Sequence, residues 1–243
     1  MRNYAKETAA RVEYIRAYLR ESGARGIVFG NSGGKDSALV GILCKLACED
    51  TVGIIMPCAS KRNYGMDRDD GMEVAEKFHI ETRTVDLTPV REAELAALAG
   101  VTELTEMAVA NIAPRLRMLT LYAIAHAEGR MVAGTGNASE AYVGYFTKWG
   151  DGAYDFNPIA DLTVTEIYEF LTWLHAPENI IRKAPSAGLF EGQTDEQEMG
   201  VTYAAIDKYI LTGEASEHDK AIIDRYHSRS EHKRRPAATY HAE

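Results

Sequence analysis

Ile27-Val28-Phe29-Gly30-Asn31-Ser32-Gly33-Gly34-Lys35-Asp36-Ser37-Ala38-Leu39-Val40 sets a short apolar run, a glycine-serine turn and a second apolar run end to end. The first run is rich in β-branched residues and reads as a buried strand. From Ala38 to Cys48 the apolar residues recur at helical spacing, so the period changes across the turn and a strand-loop-helix unit is expected. Gly33 and Gly34 carry no Cβ, which lets the backbone approach a ligand closely or take positive φ. Ser32 and Ser37 add hydroxyl donors. The helix that follows turns its unsatisfied N–H groups and the positive end of its dipole toward the loop. Such a loop suits an anion, and polyphosphate is the obvious one. Asp36 sits where the phosphate-loop pattern GxxxxGK[ST] would put its lysine. A carboxylate beside phosphates repels them unless a divalent cation lies between, so Asp36 predicts Mg2+ carried in with the nucleotide.

Outward from this unit, strands alternate with helices. Residues 5–19 hold Val12, Ile15 and Leu19 in helical register. Beyond the loop helix, 51–56 reads as a strand ended by Pro57, about 67–78 as a helix, 82–85 as a strand and about 112–128 as a helix. Met131-Val132-Ala133 then leads into the loop Gly134-Thr135-Gly136-Asn137. This βαβαβ succession predicts an α/β fold, a doubly wound parallel β-sheet with helices on both faces. In such sheets ligands gather at the carboxyl ends of the strands, so the loops after Phe29 and Ala133 are expected to converge there. Residues 147–158 read as a long ordered loop, of the kind that often carries function. Helices are expected near 165–174 and 220–230, the second running into Glu231-His232-Lys233-Arg234-Arg235-Pro236 as a short helical C-terminal extension. With no repeat and no low-complexity linker, one domain over 1–243 is the economical reading.

The chain has 243 residues, 46% hydrophobic and 26% charged, which suits a globular protein with a sizeable core. A net charge of −9 argues against general nucleic-acid binding. The opening MRNYAKETAA is polar rather than a signal peptide, no apolar stretch approaches a membrane span, and a cytoplasmic location is expected. Cys44, Cys48 and Cys58 form no CxxC pair and read as reduced thiols.

Further segments combine with the loop. SGGKDS at 32–37, NIAPRLRM at 111–118, GTGNASE at 134–140, GYFTKWGDGAYD at 144–155, KAPSA at 183–187, QTDEQEMG at 193–200 and HKRRP at 232–236 follow in that order. SGGxDS after a strand resembles the loop of ATP pyrophosphatases, which split ATP into AMP and pyrophosphate. The whole set resembles NAD synthetase, the ammonia-dependent type, from about residue 26 to residue 236. The resemblance implies a Rossmann-like fold of ATP-pyrophosphatase type and a two-step reaction. The nicotinate carboxylate of deamido-NAD attacks the α-phosphorus of ATP, giving an NAD-adenylate and pyrophosphate, and ammonia then displaces AMP.

The resemblance also implies roles. ATP contacts fall to Gly30, Asn31, Ser32, Gly33, Gly34, Lys35, Asp36 and Ser37, with Thr135 and Ser186. Asp36 and Glu140 become the Mg2+ ligands, as two carboxylates completed by phosphate oxygens and water suit that ion. Deamido-NAD contacts fall to Arg115, Lys148, Asp155, His232 and Lys233, with Arg117 facing elsewhere on its helix. Asp151 in WGDG is expected to act as the catalytic group near the ammonia site, holding ammonium and receiving a proton as the amine attacks. One departure stands out. Val164 occupies the position where the family commonly has an ATP-contacting lysine, and Lys35 or Lys183 would have to supply that cation.

The strand before SGGKDS begins 26 residues in, so no glutaminase domain is expected and nitrogen would come from free ammonia or a separate subunit. The rival readings are another ATP pyrophosphatase, such as a tRNA-modifying ligase, and a non-catalytic adenine-nucleotide-binding module. The family resemblance further implies a homodimer with deamido-NAD, ATP and ammonia as partners. The polar stretches at 57–68 and 188–198 are candidates for lids.

Overall fold

Strand β1 (Gly26–Gly30) lies between β2 (Thr51–Ile55) and β4 (Arg130–Ala133), and β3 (Glu81–Thr84) pairs with the far side of β2. All three pairings are parallel, with Val28 opposite both Val52 and Val132. The structure, a computed structural model, describes residues 2–59, 64–183 and 194–240. The chain steps outward from β1 to β2 to β3, then crosses to the other side of β1 for β4. Strand order therefore reverses at the β1/β4 crevice, the topological switch point at which open α/β sheets bind ligands. Edge strand β3 is partly exposed and carries Glu81 and Arg83, whose charges keep that edge solvated.

The helices are α1 (Tyr4–Ser22), α2 (Lys35–Ala47), α3 (Met66–Lys77), α4 (Thr88–Leu98), α5 (Glu106–Ala110), α6 (Ile112–Glu128) and α7 (Ala138–Val143). They continue with α8 (Val164–Trp173), α9 (Glu178–Arg182), α10 (Asp195–Met199), α11 (Tyr203–Thr212), α12 (Glu217–Arg229) and α13 (Glu231–Arg234). Side chains alternate across the sheet, so Ile27 and Phe29 pack against Ile15, Leu39, Leu43 and Phe170 on one face. Val28, Val52 and Val132 meet Leu121, Ile124 and Ala125 of α6 on the other. The Phe29 ring packs closely on two glycines: a Cβ at Gly41 would lie 2.6 Å from it, which the ring would have to yield to, and one at Gly53 would lie 3.1 Å away, a tight contact. A third cluster, with Val143, Val164, Tyr203, Ile206 and Ile223, joins α7 and α8 to the carboxyl-terminal helices.

The amino terminus is strapped to the segment before α8. Arg2 pairs with Glu166 at 2.7 Å and Asp161 at 2.8 Å, and Arg11 reaches the Pro158 carbonyl and Asp161. No helix among the described residues is long and apolar enough to cross a membrane, and all three cysteines are free.

The structure adds helices that the sequence reading did not name, α11 (Tyr203–Thr212) among them, and two further differences have plain physical causes. Helix α2 begins at Lys35 rather than near Ala38, so half of SGGKDS is the first turn of the helix. Helix α4 lies outside the sequence reading; it buries no residue, and Pro89 in its first turn is its start signal.

Candidate active site

The loop after β1 and the loop after β4 face each other across the crevice. Together they open a cleft of about 820 Å³ lined by Ser32, Gly34, Asp36, Thr135, Glu140 and Asp151 among others. Gly34 is the N-cap of α2 in extended conformation and makes no side-chain capping bond, so the first N–H groups of the helix are left for a ligand. Ser32 Oγ donates to Ser37 Oγ at 3.0 Å, and Ser37 Oγ also lies 3.0 Å from the Gly34 carbonyl, which closes the loop on itself. Gly33 has φ +69° and rests against α3, where a Cβ would overlap the Asp67 carbonyl group. Asn31 is buried and donates to the Gly71 carbonyl at 2.9 Å, so its carboxamide anchors α3 behind the loop.

Asp36 and Glu140 approach from the two sides of the crevice. Lys35 Nζ stands between them, 2.6 Å from Asp36 Oδ2 and 3.7 Å from Glu140 Oε1. Asn137 caps α7 by accepting from the Glu140 N–H at 2.9 Å, while its amide donates to Asp36 Oδ1 at 3.0 Å. The Asn137 main-chain N–H in turn donates to Glu140 Oε2 at 3.3 Å, so one residue holds both acids, Asp36 through its side chain and Glu140 through its backbone. Burial, and then the negative charge of Asp36, push the Glu140 carboxyl up to about 8. Burial works against the Lys35 ammonium, but Asp36 and Glu140 outweigh it and hold its pKa above the usual lysine value. One ammonium therefore leaves the acid pair short of positive charge, and oxygen-only donors in that state fit a hard divalent cation. Among the described residues no group of three or more His, Cys, Asp or Glu side chains forms a ready metal cage, so further ligands would be phosphate oxygens and water.

The 147–152 turn forms the next wall. Asp151 Oδ1 accepts the Thr147 N–H at 2.9 Å, and Thr147 Oγ1 donates to Asn111 Oδ1 at 2.6 Å. Burial pushes the Asp151 carboxyl up and pulls the nearby Lys233 ammonium down. Lys233 Nζ donates to the carbonyls of Gly144 and Phe146 at 2.8 and 2.7 Å. Trp149 holds positive φ, 61°, at the tip of this turn, a conformation a tryptophan takes only under constraint.

The sequence-derived residues distribute unevenly. Gly30 to Ser37 gather at the cleft with Thr135, Glu140, Asp151 and Lys233, except that Gly33 backs onto α3. Arg115 is exposed and hydrogen-bonds the Asn111 and Lys148 carbonyls outside the cleft lining. Lys148 donates to the His232 carbonyl at 2.7 Å, also outside the lining, and His232 is exposed. The Asp155 carboxylate accepts from the Val132 N–H at 2.8 Å and from Tyr122, away from the cleft. Ser186 lies outside the described residues. Val164 is buried in the third apolar cluster, whereas Lys183 Nζ reaches the loop itself, 3.0 Å from the Gly33 carbonyl and bound to Asp67 and Asp70.

Other lining residues are not assigned to the site by the sequence, and Arg117, expected to face elsewhere, is one of them. Arg117 turns into the cleft, donates to the Met56 carbonyl at 3.2 Å, and has its pKa lowered by burial. Its position three residues after Pro114 and four before Leu121, both of which line the cleft, was the available signal. Asp195, Glu198, Arg225 and Arg229 also line it.

The sequence profile of the family described as NAD synthase matches residues 7–238. The chain belongs to the NAD synthase family. It is 47% identical over 236 residues to the NH3-dependent NAD+ synthetase of Carboxydothermus hydrogenoformans, with 96% of each chain covered. Its fold superposes on the NMN synthetase of Francisella tularensis with a TM-score of 0.94, 38% identity and 99% of both chains covered. With the NH3-dependent NAD synthetase of Campylobacter jejuni, solved with a nitrate ion, the TM-score is 0.80 at 27% identity, covering 99% of this chain and 100% of that one. As a member of this family the chain is an enzyme, a ligase of the ATP-pyrophosphatase fold.

Proposed function

We propose that this chain makes NAD from deamido-NAD, ATP and ammonia through an NAD-adenylate, releasing pyrophosphate and then AMP, as one domain over 1–243. The observation that carries the reading is the Asp36–Glu140 pair, set at the β1/β4 switch point beside the uncapped N-terminus of α2. The loop amides and Ser32 hold the triphosphate, and Thr135 contacts ATP from the opposite loop. Asp36 and Glu140 would hold Mg2+, which when bound neutralises phosphate charge. Holding the carboxylate in line with the α-phosphorus supplies roughly 7–11 kcal/mol of the barrier. Asp151 holds the incoming ammonium and takes a proton as the amine attacks. Ser186 contacts ATP, and Arg115, Lys148, Asp155, His232 and Lys233 serve deamido-NAD. Since Arg115 stands on the exposed face of α6 next to Leu119, a homodimer that brings the partner's helix to the cleft is the natural setting for that contact. The enzyme works in the cytoplasm on free ammonia.

The test is incubation with Mg-ATP, ammonium and deamido-NAD while AMP and NAD are followed. Stoichiometric AMP and NAD support the reading, and AMP without NAD or no AMP at all defeats it. A second reading, amidation of nicotinate mononucleotide, is favoured by the TM-score of 0.94 with the NMN synthetase. The same assay run with the mononucleotide decides between the two by the ratio of kcat/KM.

A further inference from the structure

Helix α12 turns Ile223 into the third apolar core, and its exposed residues Arg225 and Arg229 stand one turn apart at the mouth of the cleft. We infer that this pair is the phosphate-reading lip of the pyridine-nucleotide site. The inference rests on the proposed amidation and assigns a role to residues that no motif singled out.

Charge is the first argument. Arg225 lies over the Tyr226 ring at 5.7 Å and Arg229 makes no ion pair among the described residues. The adjacent carboxylate, Asp224, is already bound to Tyr209 at 3.0 Å and Lys220 at 3.1 Å. Other arginines nearby are committed: Arg234 donates to the His227 and Tyr142 carbonyls, and Arg235 pairs with Glu231. In a chain of net charge −9, two guanidinium groups left open at a cleft mouth are a local anion site. Guanidinium forks match phosphate oxygens in bidentate geometry.

Place is the second. The apolar stretch of the lining, Ile54, Ile55, Met56 and Leu121, lies at the end of β2 and on α6 and suits a base. Helix α12 instead packs on α7, the helix that carries Glu140, and the wall between them is Tyr145, Phe146 and Tyr226. The ATP phosphates belong at the N-terminus of α2, so the anion for the lip comes from the other substrate. In a mononucleotide it is a terminal phosphomonoester of nearly two negative charges, and in a dinucleotide it is the pyrophosphate linkage.

The test compares wild type with Arg229→Gln, Arg229→Lys and the double variant R225Q/R229Q in steady-state assays with ATP, ammonium and either deamido-NAD or nicotinate mononucleotide. KM for the pyridine nucleotide is expected to rise at least tenfold in the double variant while KM for ATP stays within twofold, and Arg229→Lys recovers part of the loss. A larger rise for the mononucleotide identifies the phosphomonoester as the group read, and an equal or larger rise for the dinucleotide identifies the pyrophosphate linkage. Arg20→Gln, which removes one charge from a surface pair with Glu13, is the control for net charge. A rise in KM for ATP alone, or no change in either constant, overturns the inference. Calorimetric binding of deamido-NAD and of nicotinate mononucleotide to wild type and R225Q/R229Q tests the lip without turnover. A wild type that binds deamido-NAD but forms no AMP from it refutes the proposed reaction, and equal binding of both nucleotides by the two proteins refutes the lip.

Discussion

Replacing Gly33 with alanine tests whether the phosphate loop is held in shape by its contact with α3. Gly33 sits at φ +69°, and a methyl group there would overlap the Asp67 carbonyl oxygen, 2.9 Å from the carbonyl carbon and 3.1 Å from the Gly71 nitrogen. The left-handed conformation costs a non-glycine residue about 1–2 kcal/mol. Forcing a methyl against main chain adds about 1–3 kcal/mol, since backbone cannot rotate away as a flexible side chain could. The sum is roughly 2–5 kcal/mol, or a fall in Tm of about 4–20 °C for a chain of this size. Gly213 is the internal control, with φ +75° and nothing within 4 Å of a Cβ. Gly213→Ala therefore carries only the conformational cost, about 1–2 kcal/mol. Urea unfolding measures both variants, and the dependence of AMP formation on ATP shows whether the loop has moved. Gly33→Ala is expected to raise KM for ATP and Gly213→Ala to leave it alone. Equal destabilisation by the two substitutions, with ATP affinity intact in both, would refute the reasoning.

Three more outcomes follow from the site and its supports. Asp151→Asn is expected to leave pyrophosphate release within threefold of wild type and to slow the ammonia step by about 10²-fold or more; equal loss of both half-reactions in a rapid-quench experiment counts against the ammonium role. Val164→Lys puts an ammonium at a position 3% exposed among apolar side chains, so it is expected to cost about 3 kcal/mol without tightening ATP binding. Thermal unfolding with and without ATP reads both effects. Burial works to raise the Asp161 carboxyl, but Arg11 and Arg2 outweigh it and hold its pKa below the ordinary value. A lowered carboxyl stabilises the fold fully above its unfolded pKa of about 3.9 and loses that contribution as pH falls through the lower folded value. Asp161→Asn should thus cost up to about 1 kcal/mol at pH 7. In thermal melts the gap to wild type is expected to narrow steadily below pH 4; a constant gap would sever the link to ionisation.

The strand-loop-helix unit was legible because three signals coincide at residues 27–40: β-branched apolar residues, paired glycines and a change of period. The strand order was harder. Alternating elements imply a parallel sheet, yet nothing in β4 itself says that it docks on β1 rather than β3, and that choice creates the crevice. At the site, Asp36 could be read from the charge it places beside phosphates, while Glu140 needed the resemblance. Arg117 escaped because the resemblance places the nucleotide contact on Arg115, two positions earlier in PRLRM, and leaves Arg117 facing elsewhere, whereas the helix turns Arg117 into the cleft with Pro114 and Leu121. The partners of Asp155 are a main-chain N–H and a tyrosine hydroxyl, and main-chain partners leave no trace in residue identity. Helix α4 and the basic lip of α12 share one property: α4 buries no residue and Arg225 and Arg229 are exposed, so neither contributes to the core that a sequence pattern reports.

The bond from Asn137 to Asp36 joins residues 101 apart in sequence, and the bond from Lys183 to the Gly33 carbonyl joins residues 150 apart. A ribosome that has released only β1, α2 and β2 has made the whole glycine loop but none of the residues that face it. Closing such long chain segments is slow, because their entropy is lost before the contacts repay it. Nucleotide affinity should therefore emerge late in synthesis, once β4 has docked and the far helices have followed. A nascent chain stalled before β4 would carry the glycine loop and bind no ATP.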